Sequence, residues 1–120
     1  MRIAVSAQSP NLEADVDPRF GRAPHFVIFD VDADDFEAVD NSDAADAKQG
    51  AGVQAAQTVV GHKVDAVLTG HCGPKAHQLL AASGVKIYVG VEGNIREAID
   101  RCNRGDMSPC EAPDVEGRWS

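Results

Sequence analysis

The sequence is poor in aromatic residues and cysteines, and it lacks a long hydrophobic run. Only 5% of its 120 residues are aromatic, so Val, Ile, Leu and Ala must form most of any core. No apolar stretch approaches the ~18 residues of a membrane-spanning helix, and the N-terminus turns polar too early for a signal peptide. The three cysteines, Cys72, Cys102 and Cys110, have neither disulfide-framework nor zinc-site spacing. These absences predict a cytoplasmic protein with reduced thiols and no membrane role.

Basic residues are also scarce, with 11 Lys and Arg against 19 Asp and Glu and a formal net charge of −8. Nucleic-acid binding through phosphate neutralisation needs a basic face, so this composition argues against a nucleic-acid partner. Eight of the acidic residues lie between Asp30 and Asp46, where no basic residue occurs. The segment lacks the Gly and Glu positions of a calcium-binding loop. We interpret its carboxylates as solvated charges on a turn and a sheet edge, where they discourage pairing between molecules.

The length and the hydrophobic pattern predict one α/β domain. Apolar alternation or continuous apolar runs indicate five strands, and helical periodicity indicates three helices, the last beginning after Asn94. The predicted strands span residues 2–7, 25–31, 36–40, 64–69 and 85–89, and the first two helices span residues 50–60 and 74–83. The short link at 32–35 predicts an antiparallel hairpin, whereas the later strand–helix order predicts parallel strands. We expect a five-stranded mixed sheet with helices on both faces over residues 1–105, followed by a loosely attached tail at 106–120.

One segment with several useful features runs from the end of the strand at 64–69 into the next helix. Ligands of such sheets bind beyond the carboxyl ends of the parallel strands. Here the glycines let backbone approach a ligand, a lysine supplies a cation, and the helix N-terminus favours negative charge. A tight strand-to-helix turn that serves packing alone is the alternative interpretation. The segment consists of Thr69, Gly70, His71, Cys72, Gly73, Pro74 and Lys75.

A locally basic run ends the irregular segment at residues 8–24, which carries three prolines. Arginine suits multi-oxygen and multi-sulfur anions because its donors form a fixed fork. Ordinary solvent-exposed arginines would explain the same residues equally well. The candidate anion-binding residues of this run are Arg19, Phe20, Gly21, Arg22 and His25.

A third segment, Gly50-Ala51-Gly52, begins a match to G-x-G-x-x-A, but no strand directly precedes it, so the dinucleotide fingerprint fails. A glycine-rich helix N-terminus that receives an anion is one interpretation, and simple helix initiation is the other. The chain lacks serine-hydrolase, P-loop and HExxH motifs, and we do not expect an enzyme. We expect His77 on a helix surface and Cys102 on the apolar stripe of the last helix.

In order and spacing, these segments resemble the nitrogenase iron–molybdenum cofactor biosynthesis family. The resemblance covers about residues 1–105 and implies a ribonuclease H-like fold, which agrees with the predicted mixed sheet. Nuclease activity is not expected, because the strand at 2–7 has no carboxylate for a two-metal centre. The residues that carry the resemblance are DPRFGRAPHFVIFD from Asp17 to Asp30, Gly50-Ala51-Gly52, VDAVLTGHCGPKA from Val64 to Ala76, and VKIYVG from Val85 to Gly90.

The resemblance also implies that the chain binds, carries or assembles an anionic molybdenum–copper sulfide cluster, held without covalent bonds. We expect a labile cluster that is lost during purification, and a monomeric protein. His71, Cys72 or His25 could nevertheless bind a metal directly. The alternative function is a small regulatory adaptor whose acidic hairpin contacts a partner, such as an ATPase or a cluster-recipient protein. The expected donors and cations are the helix N-termini at Gly52 and Gly73 with Arg19, Arg22 and Lys75, and the expected apolar contacts are Phe20, Ala51 and Pro74.

Overall fold

The strands and helices of the computed structural model, which describes residues 1–110, follow the predicted order with small shifts at their ends. The strands are β1 (Arg2–Ala7), β2 (His25–Asp30), β3 (Asp35–Asp40), β4 (Ala66–Leu68) and β5 (Lys86–Tyr88). The helices are α1 (Ser42–Ala45), α2 (Ala51–Gly61), α3 (Pro74–Ala82) and α4 (Ile95–Asn103). The sequence pattern did not predict α1, because four residues are too few to show a helical period. No helix within the described residues has the length and apolar character needed to cross a membrane.

The five strands form one mixed sheet in the order β3-β2-β1-β4-β5. β2 pairs antiparallel with both β1 and β3, which confirms the predicted hairpin. β4 lies parallel to β1 on one side and to β5 on the other. All three residues of β4 are apolar and buried, as is typical of an interior parallel strand. The prediction of a five-stranded mixed sheet is therefore confirmed.

Helices pack on both faces of the sheet, because successive side chains of a strand point to opposite faces. On one face, Ala4 of β1 and Phe26 of β2 join a core with residues of α1, α2 and α3. On the other face, Ile3 and Val5 of β1 join a second core with residues of α4. Burying one Val, Leu or Ile side chain contributes about 1.5–3 kcal/mol. Two mainly aliphatic cores therefore stabilise the sheet, and two of the few aromatic residues, Phe20 and Phe26, lie in the first of them.

The N-termini of α2 and α3 lie at the same edge of the sheet. α2 leads into β4 through a short connection at residues 62–65, and α3 leaves β4 through residues 69–73. Both helices therefore run against the direction of β4, and they pack against each other. Each places its N-terminus beside the carboxyl end of β4. An edge that collects two helix N-termini is favourable for negative charge.

Backbone hydrogen bonds order the long connection between β1 and β2. Its first half folds back on itself, with Gln8 N donating to Asp15 O at 3.1 Å. Asp17 N then donates to Ser6 O of β1 at 2.8 Å. Residues 17–24 consequently cross the carboxyl end of the central strand before β2 begins.

Residues 106–110 contact the domain near β5 and α3. Cys110 N donates to Ile87 O at 2.6 Å, and Cys110 O accepts a hydrogen bond from His77 Nε2 at 3.3 Å. The expectation of an exposed His77 was wrong, because this segment helps to leave only 7% of the residue exposed. Met107 packs against the core under α4. The rest of the predicted tail, residues 111–120, lies outside the described residues.

Gly70 is required where the long connection crosses the end of β4. A Cβ atom at this position would lie 2.6 Å from Pro18 Cα and 2.7 Å from Pro18 O. Both are backbone atoms, so no side-chain rotation relieves the overlap. Any residue larger than glycine must therefore push the 17–24 segment away from the strand.

We predict that Gly70→Ala lowers the free energy of unfolding by about 1–3 kcal/mol, the usual effect of overpacking. Gly61→Ala is the matched control, because Gly61 lies at the end of α2 and a Cβ atom added there would meet open space. Because Gly61 is the last residue of the helix, this control change should raise the free energy of unfolding by less than about 1 kcal/mol. Urea denaturation of the two variants measures both effects. Equal stabilities would contradict the close contact between Gly70 and Pro18.

Candidate functional site

The arginine-containing segment and the segment after β4 meet at the carboxyl edge of the sheet. Arg19 and His71 form a parallel β-bridge, and Phe20 N donates to His71 O at 3.2 Å. These two segments are 52 residues apart when measured from Arg19 to His71. The fold thus brings together the two basic, glycine-containing regions that the sequence singled out.

A chain of buried hydroxyl groups fastens this junction to the sheet. Ser6 Oγ lies 2.7 Å from Asp17 O and 2.8 Å from Thr69 Oγ1. Ser6 has one hydroxyl proton, so Ser6 donates to the Asp17 carbonyl and Thr69 donates to Ser6. Thr69 is fully buried. Thr69 therefore supports the site from within and does not offer its hydroxyl to a ligand.

Arg19 and Lys75 provide the exposed positive charge at this edge. The Arg19 side chain is 48% exposed, and its Nε lies 3.8 Å from Asp17 Oδ1. Lys75 is exposed in the first turn of α3. Within the described residues, the Nη groups of Arg19 and the ammonium of Lys75 make no hydrogen bond or ion pair. These groups are available to an anion.

The two helices that begin here have no side-chain caps. Gly50 at the start of α2 adopts a left-handed conformation with φ 73°, and Gly73 precedes α3 in an extended conformation. By contrast, the Asn94 side chain caps α4 by accepting from Glu97 N at 3.2 Å, as the sequence predicted. The first amides of a helix lack intrahelical partners. Uncapped N-termini at α2 and α3 can therefore donate to an anion.

The Arg22 guanidinium binds backbone carbonyls of the protein and is not directed to a ligand. Its Nη1 donates to Ala45 O at 3.0 Å and also to Ala47 O. Asn41 makes a parallel connection, with Nδ2 donating to Ala23 O at 2.8 Å. Together these bonds join Arg22 and Ala23 to α1 and to the residues that flank it, Asn41 and Ala47. Arg22 thus fixes the segment that precedes Gly50. This structural role differs from the predicted role, in which Arg22 donates hydrogen bonds to an anion.

Several predicted ligand contacts are buried in the core. The Phe20 ring is fully buried and packs against Phe26, with ring centroids 5.2 Å apart. Ala51 is fully buried as well. Phe20 and Ala51 therefore cannot present their side chains to a ligand in this conformation. Of the expected apolar contacts, Pro74 is exposed.

His25 and Gly21 lie at the border of the site. His25 opens β2 and is paired in register with Ala7 and Asp40. Hydrogen bonds from Ser42 lower the pKa of Asp40, and the charge of His25 adds to this effect. Gly21 is buried, with its carbonyl 3.4 Å from Asn41 Nδ2. An ionised carboxylate thus lies near His25, so this side of the site is less favourable for an anion.

The metal-binding side chains do not assemble into a ligand set. Cys72 is fully buried, and its Sγ lies 3.8 Å from Gly73 O, while His71 is half-buried. Among residues 1–110, no group of three or more His, Cys, Asp or Glu side chains could hold a metal ion. Cys72 would have to leave the core to bind a metal. The geometry at this edge favours binding through donors and charge.

A concavity of about 610 Å³ lies away from these residues, at the amino ends of β4 and β5. Asp65, Lys86, Tyr88 and Cys102 are among its lining residues. Burial raises the pKa of the Cys102 thiol, although a hydrogen bond with Tyr88 and the charge of Lys86 oppose the increase. The predicted position of Cys102 on the apolar stripe of α4 is confirmed, because the residue packs against the core, but its thiol is half-buried and not enclosed by the core.

Comparison with known proteins identifies the family. The sequence model described as dinitrogenase iron-molybdenum cofactor matches residues 1–105. The chain belongs to this family. The matched range contains every residue of the candidate site at the carboxyl edge of the sheet, including Arg19, Gly50, Gly70 and Lys75. The resemblance drawn from the sequence is confirmed.

Two solved structures are similar to this member of the dinitrogenase iron-molybdenum cofactor family over nearly its full length. The apo form of the orange protein from Desulfovibrio gigas is 41% identical, with a TM-score of 0.92, and the match covers 95% of this chain and 96% of that one. A putative NifB protein from Thermotoga is 33% identical, with a TM-score of 0.82 and coverage of 97% and 98%. None of the curated proteins compared with the chain matches it significantly. The family and the orange-protein similarity suggest cluster binding or carrying.

The two arginines of the site should differ in their effect on stability. We predict that Arg22→Ala lowers the free energy of unfolding by about 1.5–3 kcal/mol, because it removes charge-assisted hydrogen bonds to two carbonyls. Arg19→Ala should cost less than about 1 kcal/mol, since the ion pair is long and Asp17 keeps its hydrogen bond from the backbone N–H of residue 19. Urea denaturation of both variants measures the difference. A loss in Arg19→Ala as large as that in Arg22→Ala would show that Arg19 is also a structural residue.

Proposed function

We propose that this chain binds and carries an anionic metal–sulfur cluster, a molybdenum–copper sulfide cluster, without covalent bonds. The site is the carboxyl edge of the sheet, between Arg19 and the N-termini of α2 and α3. The observation that carries the proposal is the pairing of Arg19 with His71, which brings an exposed guanidinium beside an uncapped, glycine-started helix. The family match and the similarity to the orange protein support the same class of ligand.

The residues present fit a polyanion with sulfur at its surface. Arg19 and Lys75 supply cations with unoccupied donors, and the first amides of α2 and α3 supply neutral donors. The described residues offer no complete set of side-chain ligands, so retention depends on charge and hydrogen bonds. Pro74 supplies an exposed apolar surface beside Lys75. A cluster bound in this way can be loaded and released without breaking a covalent bond to the protein.

The expected affinity is modest. Three or four charge-assisted hydrogen bonds of about 1.5–3 kcal/mol each give roughly 5–12 kcal/mol before costs. Ordering of the exposed side chains and desolvation remove several kcal/mol. The remainder corresponds to a micromolar or weaker dissociation constant. Such a complex would lose its cluster during purification, which suits a carrier better than a permanent cofactor site.

The excess negative charge of the chain is concentrated in one segment of the sequence. Eight of the 19 acidic residues and none of the 11 basic residues lie between Asp30 and Asp46, so the rest of the chain carries 11 residues of each sign. β3, which carries part of this charge, is separated from β4 by two strands. Exposed charges are largely screened beyond about 8 Å at physiological ionic strength. The excess negative charge is therefore confined to one segment, which reaches the border of the candidate site at Asp40 beside His25.

We predict that the protein incubated anaerobically with tetrathiomolybdate and copper retains a coloured species through gel filtration. Arg19→Ala/Lys75→Ala should lose most of this species, because both exposed cations of the site are removed. The matched control is Lys63→Ala/Arg104→Ala, which removes the same charge just beyond the C-terminal ends of α2 and α4. The measurement is the absorbance and metal content of the protein peak. Equal retention by the two double variants would contradict the assignment of the site.

A second candidate function, a small regulatory adaptor, is favoured by the exposed edge of the sheet. β3 is an outer strand, and Phe36 is 36% exposed on it between acidic residues. An outer strand presents backbone N–H and C=O groups along one side, to which an extended segment of a partner can add. If the wild-type protein retains no coloured species in the experiment above, the adaptor function with an ATPase or cluster-recipient partner is favoured.

A further inference from the structure

Asp17 is a buried carboxylate in direct contact with the main cation of the candidate site. Only 4% of the residue is exposed. Asp17 Oδ1 accepts a hydrogen bond from Arg19 N at 2.9 Å, and the same oxygen lies 3.8 Å from Arg19 Nε. Both side-chain contacts that the structure describes for Asp17 are therefore made with Arg19. A buried carboxylate is costly unless it is paired, so this placement requires a reason.

The backbone of Asp17 is itself fixed to the sheet on both sides of the residue. Its N–H donates to Ser6 O at 2.8 Å, and its carbonyl accepts from Ser6 Oγ at 2.7 Å. Ser6 is bound in turn to Thr69 at the end of β4. The carboxylate therefore occupies a fixed position relative to β1 and β4. A side chain that pairs with this carboxylate is therefore fixed relative to the carboxyl edge of the sheet.

We propose that Asp17 is a positioning residue that orients Arg19 for the anion; this inference rests on the proposed function. The carboxylate lies on the Nε side of the guanidinium, which leaves the two Nη groups for a ligand with several sulfur or oxygen atoms. Arginine can serve both partners because its donors point in different directions from one rigid plane. A lysine at this position would have one ammonium for the carboxylate and the ligand together. The Asp17–Arg19 pair therefore explains why an arginine stands here.

A plain electrostatic effect of Asp17 would have the opposite sign. A negative charge near an anion site weakens binding, so its removal should tighten binding if Asp17 had no other role. A purely structural role would give a third result, a loss that does not depend on Arg19. The three possibilities thus differ in sign or in their dependence on Arg19, and one set of variants separates them.

The experiment is a double-mutant cycle between Asp17→Asn and Arg19→Ala, with tetrathiomolybdate as the probe. Asparagine keeps an oxygen for the Arg19 N–H and so preserves the turn, but it removes the charge that holds the guanidinium. We expect Asp17→Asn to weaken binding about tenfold in the wild-type background and less than about twofold when Arg19 is already alanine. The measurement is the dissociation constant from anaerobic equilibrium dialysis.

The matched control is Asp15→Asn, which removes an exposed carboxylate from the same connection. It should change the dissociation constant by less than about twofold. Unchanged or tighter binding in Asp17→Asn, or an equal loss with and without Arg19, would overturn the positioning role while leaving the proposed function intact. Absence of binding by the wild-type protein would instead overturn the proposed function, and the inference with it.

A second measurement tests the pair without any ligand. The ¹H–¹⁵N resonance of Arg19 Nε should shift in Asp17→Asn and stay in place in Asp15→Asn. Backbone amide spectra of both variants check that the fold is kept. An Arg19 Nε resonance that does not respond to Asp17→Asn would show that the carboxylate does not hold the side chain, and would overturn the inference even if binding were weakened.

Discussion

The junction of residues 17–20 with the ends of β1 and β4 is the contact on which the candidate site depends. A backbone bond from Phe20 N to His71 O and the hydroxyl chain through Ser6 make this junction. Gly70 permits it, because the backbone of Pro18 occupies the space where a side chain would be. Without the junction, Arg19 would belong to a long surface connection with no defined relation to the helices. The binding chemistry of the edge is therefore a consequence of backbone packing.

Much of the fold could be predicted from the sequence because its elements are short and strongly patterned. The hairpin, the mixed sheet, the Asn94 cap and the placement of helices on both faces follow from local periodicity and capping residues. α1 was missed because a four-residue helix has no period. His77 was misjudged because its burial depends on residues 106–110, which are distant in sequence and show no pattern of their own. Local signals predicted the elements, and long-range packing decided the exceptions.

The candidate site was predicted in part, and the errors share one cause. The sequence indicated that the Arg19 and Gly70 regions would lie at the carboxyl ends of the strands, and the structure brings them together. It could not show that Phe20 turns inward toward Phe26 or that Arg22 donates to the carbonyls of residues 45 and 47. Neighbouring residues of one irregular segment face different environments. Such a segment has no periodicity from which to predict which of its side chains are buried and which are exposed. Asp17 escaped notice for the same reason, since an aspartate next to a proline is typical of an ordinary turn.

The two outer edges of the sheet are protected by different means. The chain itself engages the β5 edge through the bond between Cys110 N and Ile87 O, whereas β3 is guarded by the charge of its own carboxylates. The first kind of protection is independent of acidity, but the second requires ionised side chains. Protonation of the β3 carboxylates at low pH would therefore remove the protection of the β3 edge and leave that of the β5 edge unchanged. Any self-association at low pH should therefore begin when the β3 strands of two molecules pair edge to edge. It should stop at dimers, because the β5 edge of each molecule stays protected.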